Sequence, residues 1–206
     1  MHIYLNNHLE KWQLLHPFQS GFRCKYSCNT ALSQLTNSWL TAMNKSGMSG
    51  MVSPGLKKAF DLVDHSILFK KLAIYLKNSC SLPFFKSYLR NSMQCVLLYG
   101  SYSSKESVKY GVPQGSLLGP ILFSLFINDL PLYMKNISVD CDMLADDTTL
   151  HTSVKDISQI RSNTHDSLLS SCCDNNHMVI NLIKTKSTTP LPDRNTSCHP
   201  YCSISF

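Results

Sequence analysis

Apolar residues recur at three- and four-residue spacing in several stretches of the 206-residue chain, which is the spacing of an amphipathic α-helix. This pattern predicts helices over residues 27–44, 66–77 and 83–91. Asp64 is the predicted N-cap of the second helix, because its carboxylate can accept the free N–H groups of a first turn. Pro83 lies in the first turn of the third helix, where a missing N–H is tolerated.

A fourth predicted helix differs from these three because it is apolar on nearly every side. It covers residues 117–130, LLGPILFSLFINDL. Such a helix is buried, and we expect Gly119 and Pro120 either to start it or to kink it. A further helix is predicted over 156–173.

Short β-prone stretches alternate with the helices. The predicted strands lie near residue 50 and over 93–100, 103–111, 137–144, 148–154 and 177–181. We expect Pro54 and Gly55 to cut the first strand, because proline removes a donor from the hydrogen-bond ladder. This order of helices and strands predicts an α+β fold, with a mostly antiparallel sheet backed by helices.

Composition limits the class of protein. Apolar residues make up 43% of the chain, enough for a hydrophobic core, and the net charge is 19 − 13 = +6. That charge permits a polyanionic partner without requiring one. Residues 187–206 are rich in Ser, Thr and Pro and have no period, so we expect a domain over 1–186 followed by a disordered tail.

The cysteines and the N-terminus bear on cellular location. Nine cysteines, an odd number, are scattered through helix-like and strand-like stretches, which favours reduced thiols. The N-terminus lacks a signal pattern, and the longest apolar run, 121–127, is too short to span a bilayer. We therefore expect a cytoplasmic or nuclear protein. A zinc site formed by Cys24, Cys28, Cys198, His199 and Cys202 is the less favoured alternative to plain thiols, since structural zinc sites more often use Cys-x2-Cys knuckles.

Two adjacent carboxylates are the first candidate for chemistry. Asp146 and Asp147 stand in DMLADDTTLH, residues 142–151, where the second hairpin is predicted to turn. Adjacent carboxylates repel each other and resist burial, so a turn that projects both from a sheet suits a divalent cation. Mg²⁺ prefers oxygen ligands and usually takes one or two carboxylates plus phosphate oxygens. A solvated loop is the alternative interpretation of the same pair.

Five blocks of the sequence carry a family resemblance. They are QSGFRCKYSCNTAL (19–32), GLKKAFDLVDHSIL (55–68), YGVPQGSLLGPILFSLFINDLP (110–131), LADDTTLH (144–151) and CDNNHMVINLIKTK (173–186). In this order they resemble the reverse transcriptase domain of non-LTR, LINE-type retrotransposons. The resemblance implies a right-hand polymerase fold, with part of the fingers and most of the palm in residues 1–186. Upstream fingers strands and a thumb are then expected outside this sequence.

The resemblance implies roles for single residues. Asp146 and Asp147 match the turn acids that hold the catalytic Mg²⁺ ions. Phe60 matches the aromatic residue that lies under the sugar of the incoming nucleotide and excludes a 2′ hydroxyl. Lys184 matches a basic residue near the leaving phosphates. The implied partners are an RNA template, a DNA primer and a dNTP, with no membrane and no obligate protein partner.

The segment Pro113, Gln114 and Gly115 matches the family's PQG, which lies against the template base and the nascent base pair. Glycine permits a close backbone approach there. Each of these assignments has a simpler alternative: an ordinary turn for the segment, a core aromatic for Phe60, and a surface charge for Lys184.

Asp61, Asp64 and His65 form one more candidate set, in FDLVDHS. Two acids and an imidazole this close together have the residue types of an acid/base cluster. We expect them instead to cap and start the helix over 66–77.

One departure from the family's pattern falls on a metal ligand. The family's first metal site is an apolar strand that ends in Asp, followed after three residues by AF, as in LDLSKAF. This chain has VSPGLKKAF, so Gly55 takes the place of the metal-bridging Asp. Glycine offers no ligand atom, and even outer-shell losses cost about 10- to 100-fold in metal affinity or activity.

The sequence therefore predicts a reverse transcriptase-like domain in which RNA-templated DNA synthesis, the ancestral two-metal reaction, is lost. Two alternatives remain open at this point. The first is an active RNA-directed DNA polymerase, and the second is a non-catalytic nucleic-acid-binding protein that uses the residual palm and its lysines.

Overall fold

The structure is a computed structural model that describes residues 1–44, 48–77, 80–90, 92–135, 139–154, 172–190 and 201–203. Its helices are α1 (His2–Lys11), α2 (Cys28–Asn44), α3 (His65–Tyr75), α4 (Leu82–Leu89), α5 (Gly119–Phe126) and α6 (Leu130–Lys135). Its strands are β1 (Met48–Leu56), β2 (Met93–Gln94), β3 (Leu97–Leu98), β4 (Ser101–Tyr102), β5 (Glu106–Ser107), β6 (Asp140–Leu144), β7 (Asp147–Val154), β8 (Ile180–Pro190) and β9 (Tyr201–Ser203). Pairs of helices and runs of strands follow one another along the chain, which confirms the predicted α+β class.

The main sheet has five strands in the order β6-β7-β1-β8-β9, and each neighbouring pair is antiparallel. β1 is the central strand, where Val52 lies opposite Leu150 of β7 and Ser187 of β8. The remaining strands pair as β2 with β5 and β3 with β4, which is the first predicted hairpin. We call residues 93–107 the ribbon. The predicted antiparallel sheet is therefore confirmed.

The hydrophobic core joins one face of the sheet to the helices. α5 is buried at every position except Pro120, which explains why its sequence is apolar on nearly every side. α3 packs against both α5 and α4, and Cys141 and Leu150 bring the sheet into the same cluster. The largest fully buried side chains include Leu68, Leu72, Phe85, Leu122, Phe123 and Phe126. Within the described part of the chain, no helix is both long and apolar enough to cross a membrane.

The course of β1 corrects one prediction. The sequence predicts that Pro54 and Gly55 cut this strand, but β1 continues through both residues to Leu56. Its register with β8 shifts between Ser53 and Gly55, which places Pro54 at an irregularity of the ladder. Proline has no N–H to donate, and a bulge is where a central strand tolerates it. The β1 backbone therefore continues as one strand, and only its hydrogen-bond register with β8 is broken.

The C-terminal part of the chain extends the sheet. The helix predicted over 156–173 falls almost wholly outside the described residues, which resume with a helical turn at 172–175. β8 continues to Pro190, past the predicted domain boundary at 186, and β9 pairs with its end. The rest of the predicted tail, 191–200 and 204–206, lies outside the described residues, and a division of the chain at 186 stays a prediction.

Candidate active site

The acidic turn lies where the sequence predicts it, at the tip of the β6–β7 hairpin. Leu144 pairs with Asp147, so Ala145 and Asp146 form a two-residue turn. Ala145 has a φ of 61°, the left-handed conformation that such tight turns require at their first position. Asp146 is half-buried and Asp147 is exposed. Both carboxylates therefore stand at the end of two core strands, within reach of solvent.

A loop near the N-terminus, residues 19–21, holds this turn through contacts with its backbone. The Gln19 side chain is fully buried, and its Oε1 accepts hydrogen bonds from the N–H groups of Gly21 (2.8 Å) and Ala145 (3.2 Å). The Ser20 N–H donates to the Met143 carbonyl at 2.8 Å. A Cβ at Gly21 would lie 2.2 Å from the Ala145 nitrogen, so only glycine permits this approach. The contact fixes the position of the acidic turn.

Gln19 contacts the acidic turn, and this contact could not be predicted from the sequence. Gln19 lies in the QSGFRCKYSCNTAL block, which carries the family resemblance. Its contact with Ala145 spans 126 positions of the chain. The only local signal was the glycine two residues later, and a lone glycine does not identify the surface against which it packs.

Phe60 lies between the core and the surface of the site. Its ring stacks on Phe123 with centroids 4.4 Å apart, and its other neighbour, Phe22, meets it edge-on at 6.4 Å. Phe123 is fully buried, whereas Phe60 is half-buried. The side chain therefore rests on a buried aromatic ring and keeps part of its own surface exposed.

Hydrogen bonds join the segment after Phe60 to the segment before Gln114. The Val112 N–H donates to the Phe60 carbonyl at 2.9 Å, and Gln114 Nε2 donates to Asp61 Oδ1 at 2.8 Å. Gly111, at a φ of 87°, approaches the Asp61 carbonyl so closely that a Cβ would lie 2.9 Å from it. The structure therefore brings the predicted Phe60 and Gln114 positions together, although 53 positions separate Asp61 from Gln114.

The remaining members of the predicted PQG segment form the turn before α5. Ser116 Oγ donates to the Pro113 carbonyl at 2.7 Å and accepts from the Gly119 N–H at 2.9 Å, which ties this turn to the first residue of α5. Gly115 has a φ of 77°, and nothing lies within 4 Å of the place where its Cβ would be. Gly115 therefore faces open space, where a ligand has room to approach the backbone.

Asp64 and His65 of the candidate acid/base set cap and start α3, as predicted, whereas Asp61 does not, because its Oδ1 accepts from Gln114 Nε2. Asp64 is the N-cap of α3, and its carboxylate accepts from the N–H groups of Ser66 (2.7 Å) and Ile67 (3.3 Å) and from Ser66 Oγ (2.6 Å). His177 Nδ1 donates to the second carboxylate oxygen at 2.9 Å. The neighbouring His65 contacts the Gly111 carbonyl through Nε2 at 2.6 Å. Asp64 and His65 therefore make contacts that hold the start of α3 in place.

Lys184 and Gly55 are close neighbours on adjacent strands. An ideal Cβ on Gly55 would lie 2.5 Å from the Lys184 Cβ. Continuing the register of β1 with β7 beyond Val52 and Leu150 sets Gly55 beside Asp147. The basic side chain, the glycine and the acidic turn therefore lie on three neighbouring strands of the sheet.

The donor set fits one cation better than two. Among the residues that the structure describes, no group of three or more His, Cys, Asp or Glu could hold a metal ion. Asp142, the preceding acid on β6, is paired with His151, whose Nε2 lies 2.8 Å from Asp142 Oδ2. Asp146 and Asp147 remain at the turn, and two carboxylates with phosphate oxygens and waters are a common set for a single Mg²⁺. Two ions that share a carboxylate bridge do not fit these residues.

The alternative zinc site gains no support from the described residues. Cys24 and Cys28 are exposed free thiols, and no His, Cys, Asp or Glu cluster forms around them within the described ranges. Cys198 and His199 lie outside the described residues.

Comparison with known sequences identifies the group to which the chain is related. The model of the reverse transcriptase (RNA-dependent DNA polymerase) family matches residues 2–200. The probable RNA-directed DNA polymerase from transposon BS of Drosophila melanogaster is 35% identical over 130 residues, which covers 62% of this chain and 14% of that protein. The RNA-directed DNA polymerase from mobile element jockey of the same organism is 34% identical over 146 residues, or 68% of this chain and 16% of that protein. The chain therefore spans about a seventh of the length of these relatives.

Solved structures share the fold. Telomerase from Candida albicans, in complex with a TWJ fragment of telomeric RNA, matches with a TM-score of 0.67 at 16% identity and covers 98% of this chain and 35% of its own. Apo telomerase from Candida tropicalis, truncated from its C-terminal domain, matches with a TM-score of 0.64 at 15% identity. This match covers 96% of the present chain and 40% of the telomerase chain. At such identities the likeness shows the fold, and it confirms the predicted polymerase palm. The chain belongs to the reverse transcriptase (RNA-dependent DNA polymerase) family, with relatives among mobile elements as its resemblance to LINE-type retrotransposons implies.

Proposed function

We propose that this chain is a reverse transcriptase palm whose ancestral reaction is RNA-templated DNA synthesis by two-metal nucleotidyl transfer, and that this reaction is lost. One observation carries the proposal: among the described residues, only Asp146 and Asp147 form the donor set at the β6–β7 turn. Two-metal enzymes clamp the attacking and leaving oxygens with ions about 3.5–4 Å apart. Without a bridging carboxylate at Gly55, two ions so close together would repel each other with nothing to hold them.

In this proposal the remaining site residues can still bind a nucleotide, although they no longer catalyse its transfer. Asp146 and Asp147 hold one Mg²⁺, and Phe60 lies under the sugar of a bound dNTP. Lys184 lies near its phosphates. The rigid stacking of Phe60 on Phe123 supports the assignment, because a positioning surface must not move.

The template strand lies against the segment Pro113, Gln114 and Gly115, with the DNA primer paired to it. The hydrogen bond from Gln114 to Asp61 supports this placement, since it sets the segment beside the Phe60 position. The positive φ and open surroundings of Gly115 give a base room to approach the backbone. The sign of the net charge, +6, suits both nucleic-acid strands.

Template-directed primer extension tests the lost reaction. We expect the folded wild-type chain to incorporate no nucleotide above the level of Asp146→Ala, in Mg²⁺ or in Mn²⁺, which prefers similar oxygen ligands. Asp140→Ala is the matched control, because Asp140 is an exposed acid at the far end of the same strand. Incorporation that survives Asp140→Ala and disappears with Asp146→Ala would show an active polymerase.

A second function, binding of single-stranded nucleic acid without catalysis, is favoured by the ribbon. Tyr99 and Tyr102 are 99% and 72% exposed at its tip, Lys105 is exposed in the same ribbon, and Lys109 is exposed just beyond its base. Proteins that bind single strands combine such cations with aromatic rings on which bases stack. A groove of about 910 Å³ runs from the base of the ribbon, at Gln94 and Glu106, past Lys109 to Gln114 in the proposed template segment.

Replacing both ribbon tyrosines tests this second function. Stacking contributes about 1–3 kcal/mol per base, so we expect Tyr99→Ala with Tyr102→Ala to weaken binding of a short single-stranded RNA at least about tenfold. Tyr4→Ala, which removes an exposed tyrosine from α1, should leave the affinity unchanged. Wild-type affinity should also fall steeply from about 50 to 200 mM salt. Equal affinities for the ribbon and α1 variants would exclude the ribbon as the binding surface.

A further inference from the structure

β8 is interrupted opposite Gly55. Ser53 of β1 pairs with Lys186, but Gly55 pairs with Asn181, so the four residues 182–185 of β8 fall between two consecutive pairs of the ladder. These residues form a bulge with its own hydrogen bonds. We call residues 182–185 the β8 bulge.

The β8 bulge is held in place on both sides. Asn181 Oδ1 accepts from the N–H groups of Ile183 (3.1 Å) and Lys184 (3.3 Å), and Thr185 Oγ1 donates to the Asn181 carbonyl at 2.9 Å. The Gly55 N–H donates to Thr185 Oγ1 at 3.2 Å. The bulge is therefore bonded to itself and to β1 at the residue where the metal-bridging Asp is missing.

The bulge fills the space that a side chain at position 55 would need. An ideal Cβ there would lie 2.5 Å from the Lys184 Cβ, 3.2 Å from its carbonyl carbon and 3.3 Å from its Cα. The first distance is far shorter than carbon atoms tolerate, and Cβ cannot move away without its strand. The end of a flexible side chain could move aside, but this contact is with the Cβ and backbone atoms of Lys184, which cannot.

The side chain that is excluded would face the acidic turn. Two residues before Gly55, Ser53 Oγ lies 3.3 Å from Thr149 Oγ1, and Thr149 is two residues after Asp147 on β7. Alternate residues of a strand face the same side, so position 55 lies on the face of Asp147. A carboxylate at this position would be directed to the turn if the bulge left room for it.

We infer that the β8 bulge has closed over the place of the lost carboxylate, so that Lys184 must change together with Gly55 before a third acid can join Asp146 and Asp147. The metal-binding part of this inference rests on the proposed function. The packing part does not, because it follows from the contact between Gly55 and Lys184. Loss of the ligand is thereby fixed by the fold and cannot be reversed by Gly55→Asp alone.

A double-mutant cycle on unfolding tests the packing. We expect Gly55→Ala to lower the folding equilibrium constant by about tenfold or more in the wild-type background, and by less than about threefold in the Lys184→Gly background. Lys186→Gly is the matched control, because it removes an exposed lysine two residues along the same strand and should give no relief. Additive effects of Gly55→Ala and Lys184→Gly would overturn the inference while leaving the proposed function intact.

Mn²⁺ binding, followed by electron paramagnetic resonance, tests the site. We expect Gly55→Asp to bind Mn²⁺ no more tightly than the wild type, and Gly55→Asp with Lys184→Gly to bind it at least about tenfold more tightly. Adding Asp146→Ala to the double variant should abolish the gain. Tight binding by Gly55→Asp alone, with wild-type stability, would overturn the closure of the site.

A different outcome would contradict the proposed function. If Gly55 and Lys184 are coupled in the unfolding cycle but the double variant gains no Mn²⁺ affinity, then position 55 is not a metal-ligand position.

Discussion

Lys71→Ala is expected to lower the free energy of unfolding by about 2–3 kcal/mol, the cost of removing the hydrogen bonds of a half-buried charged group. The Lys71 ammonium donates to the carboxylate of Asp129 at 2.7 Å, to Asn176 Oδ1 at 2.6 Å, and to the carbonyl of Phe126. It thereby joins α3 to the end of α5 and to the helical turn at 172–175. Burial is the main cause that lowers the pKa of Lys71, and the contact with Asp129 opposes it.

Chemical denaturation measures this effect, with Lys70→Ala as the control. Lys70 is the exposed neighbour on the same helix, so its replacement should change stability by less than about 0.5 kcal/mol. Lys71→Met keeps the length of the side chain and should recover part of the packing but none of the hydrogen bonds. If Lys71→Ala and Lys70→Ala proved equally stable, the Lys71 ammonium would not join these elements.

Acid is expected to remove about 2 kcal/mol of stability through Asp64 alone, between pH of about 4 and about 2. Burial by itself raises the pKa of Asp64, but hydrogen bonds from Ser66, His177 and the Ile67 N–H outweigh it and lower the pKa from 3.8 to about 2. A carboxyl whose pKa is lower in the folded state stabilises the fold above its unfolded pKa. That stability is lost as the pH falls through the folded pKa.

Comparing the wild type with Asp64→Asn isolates this contribution from the other carboxyls. Asparagine can still cap α3, but it does not titrate, so the free energy of unfolding of the variant should change less between pH 4 and pH 2. The free energy of unfolding, measured by urea denaturation, should differ between the wild type and Asp64→Asn by about 2 kcal/mol less at pH 2 than at pH 4. Parallel profiles would mean that the Asp64 carboxylate has no special stabilisation in the fold.

Features that depend on neighbours in sequence could be predicted. The tight turn at Asp146 and Asp147 follows from two β-prone runs separated by three residues, and the cap at Asp64 from an acid placed just before a helical period. α5 follows from a run that is apolar on nearly every side. In each case the cause lies within a few residues of the effect, and local backbone preferences suffice.

Features that depend on distant contacts could not be predicted. The hydrogen bond from Ala145 to Gln19 joins residues 126 positions apart, and nothing near either residue indicates the other. Pro54 was expected to cut β1, but β1 tolerates it at an irregularity of its pairing with β8, a strand far along the chain. The lost ligand at Gly55 is visible in the sequence, whereas the bulge that fills its place is not.

Nucleotide incorporation is the most direct measurement of whether the acidic turn still works as a polymerase site. The assay uses the folded wild-type chain, an RNA template with an annealed DNA primer, and saturating Mn²⁺. We expect primers of unchanged length, indistinguishable from those left by Asp146→Ala. Primers extended in a template-directed way by the wild type, and left unextended by Asp146→Ala, would contradict the loss of activity that we propose.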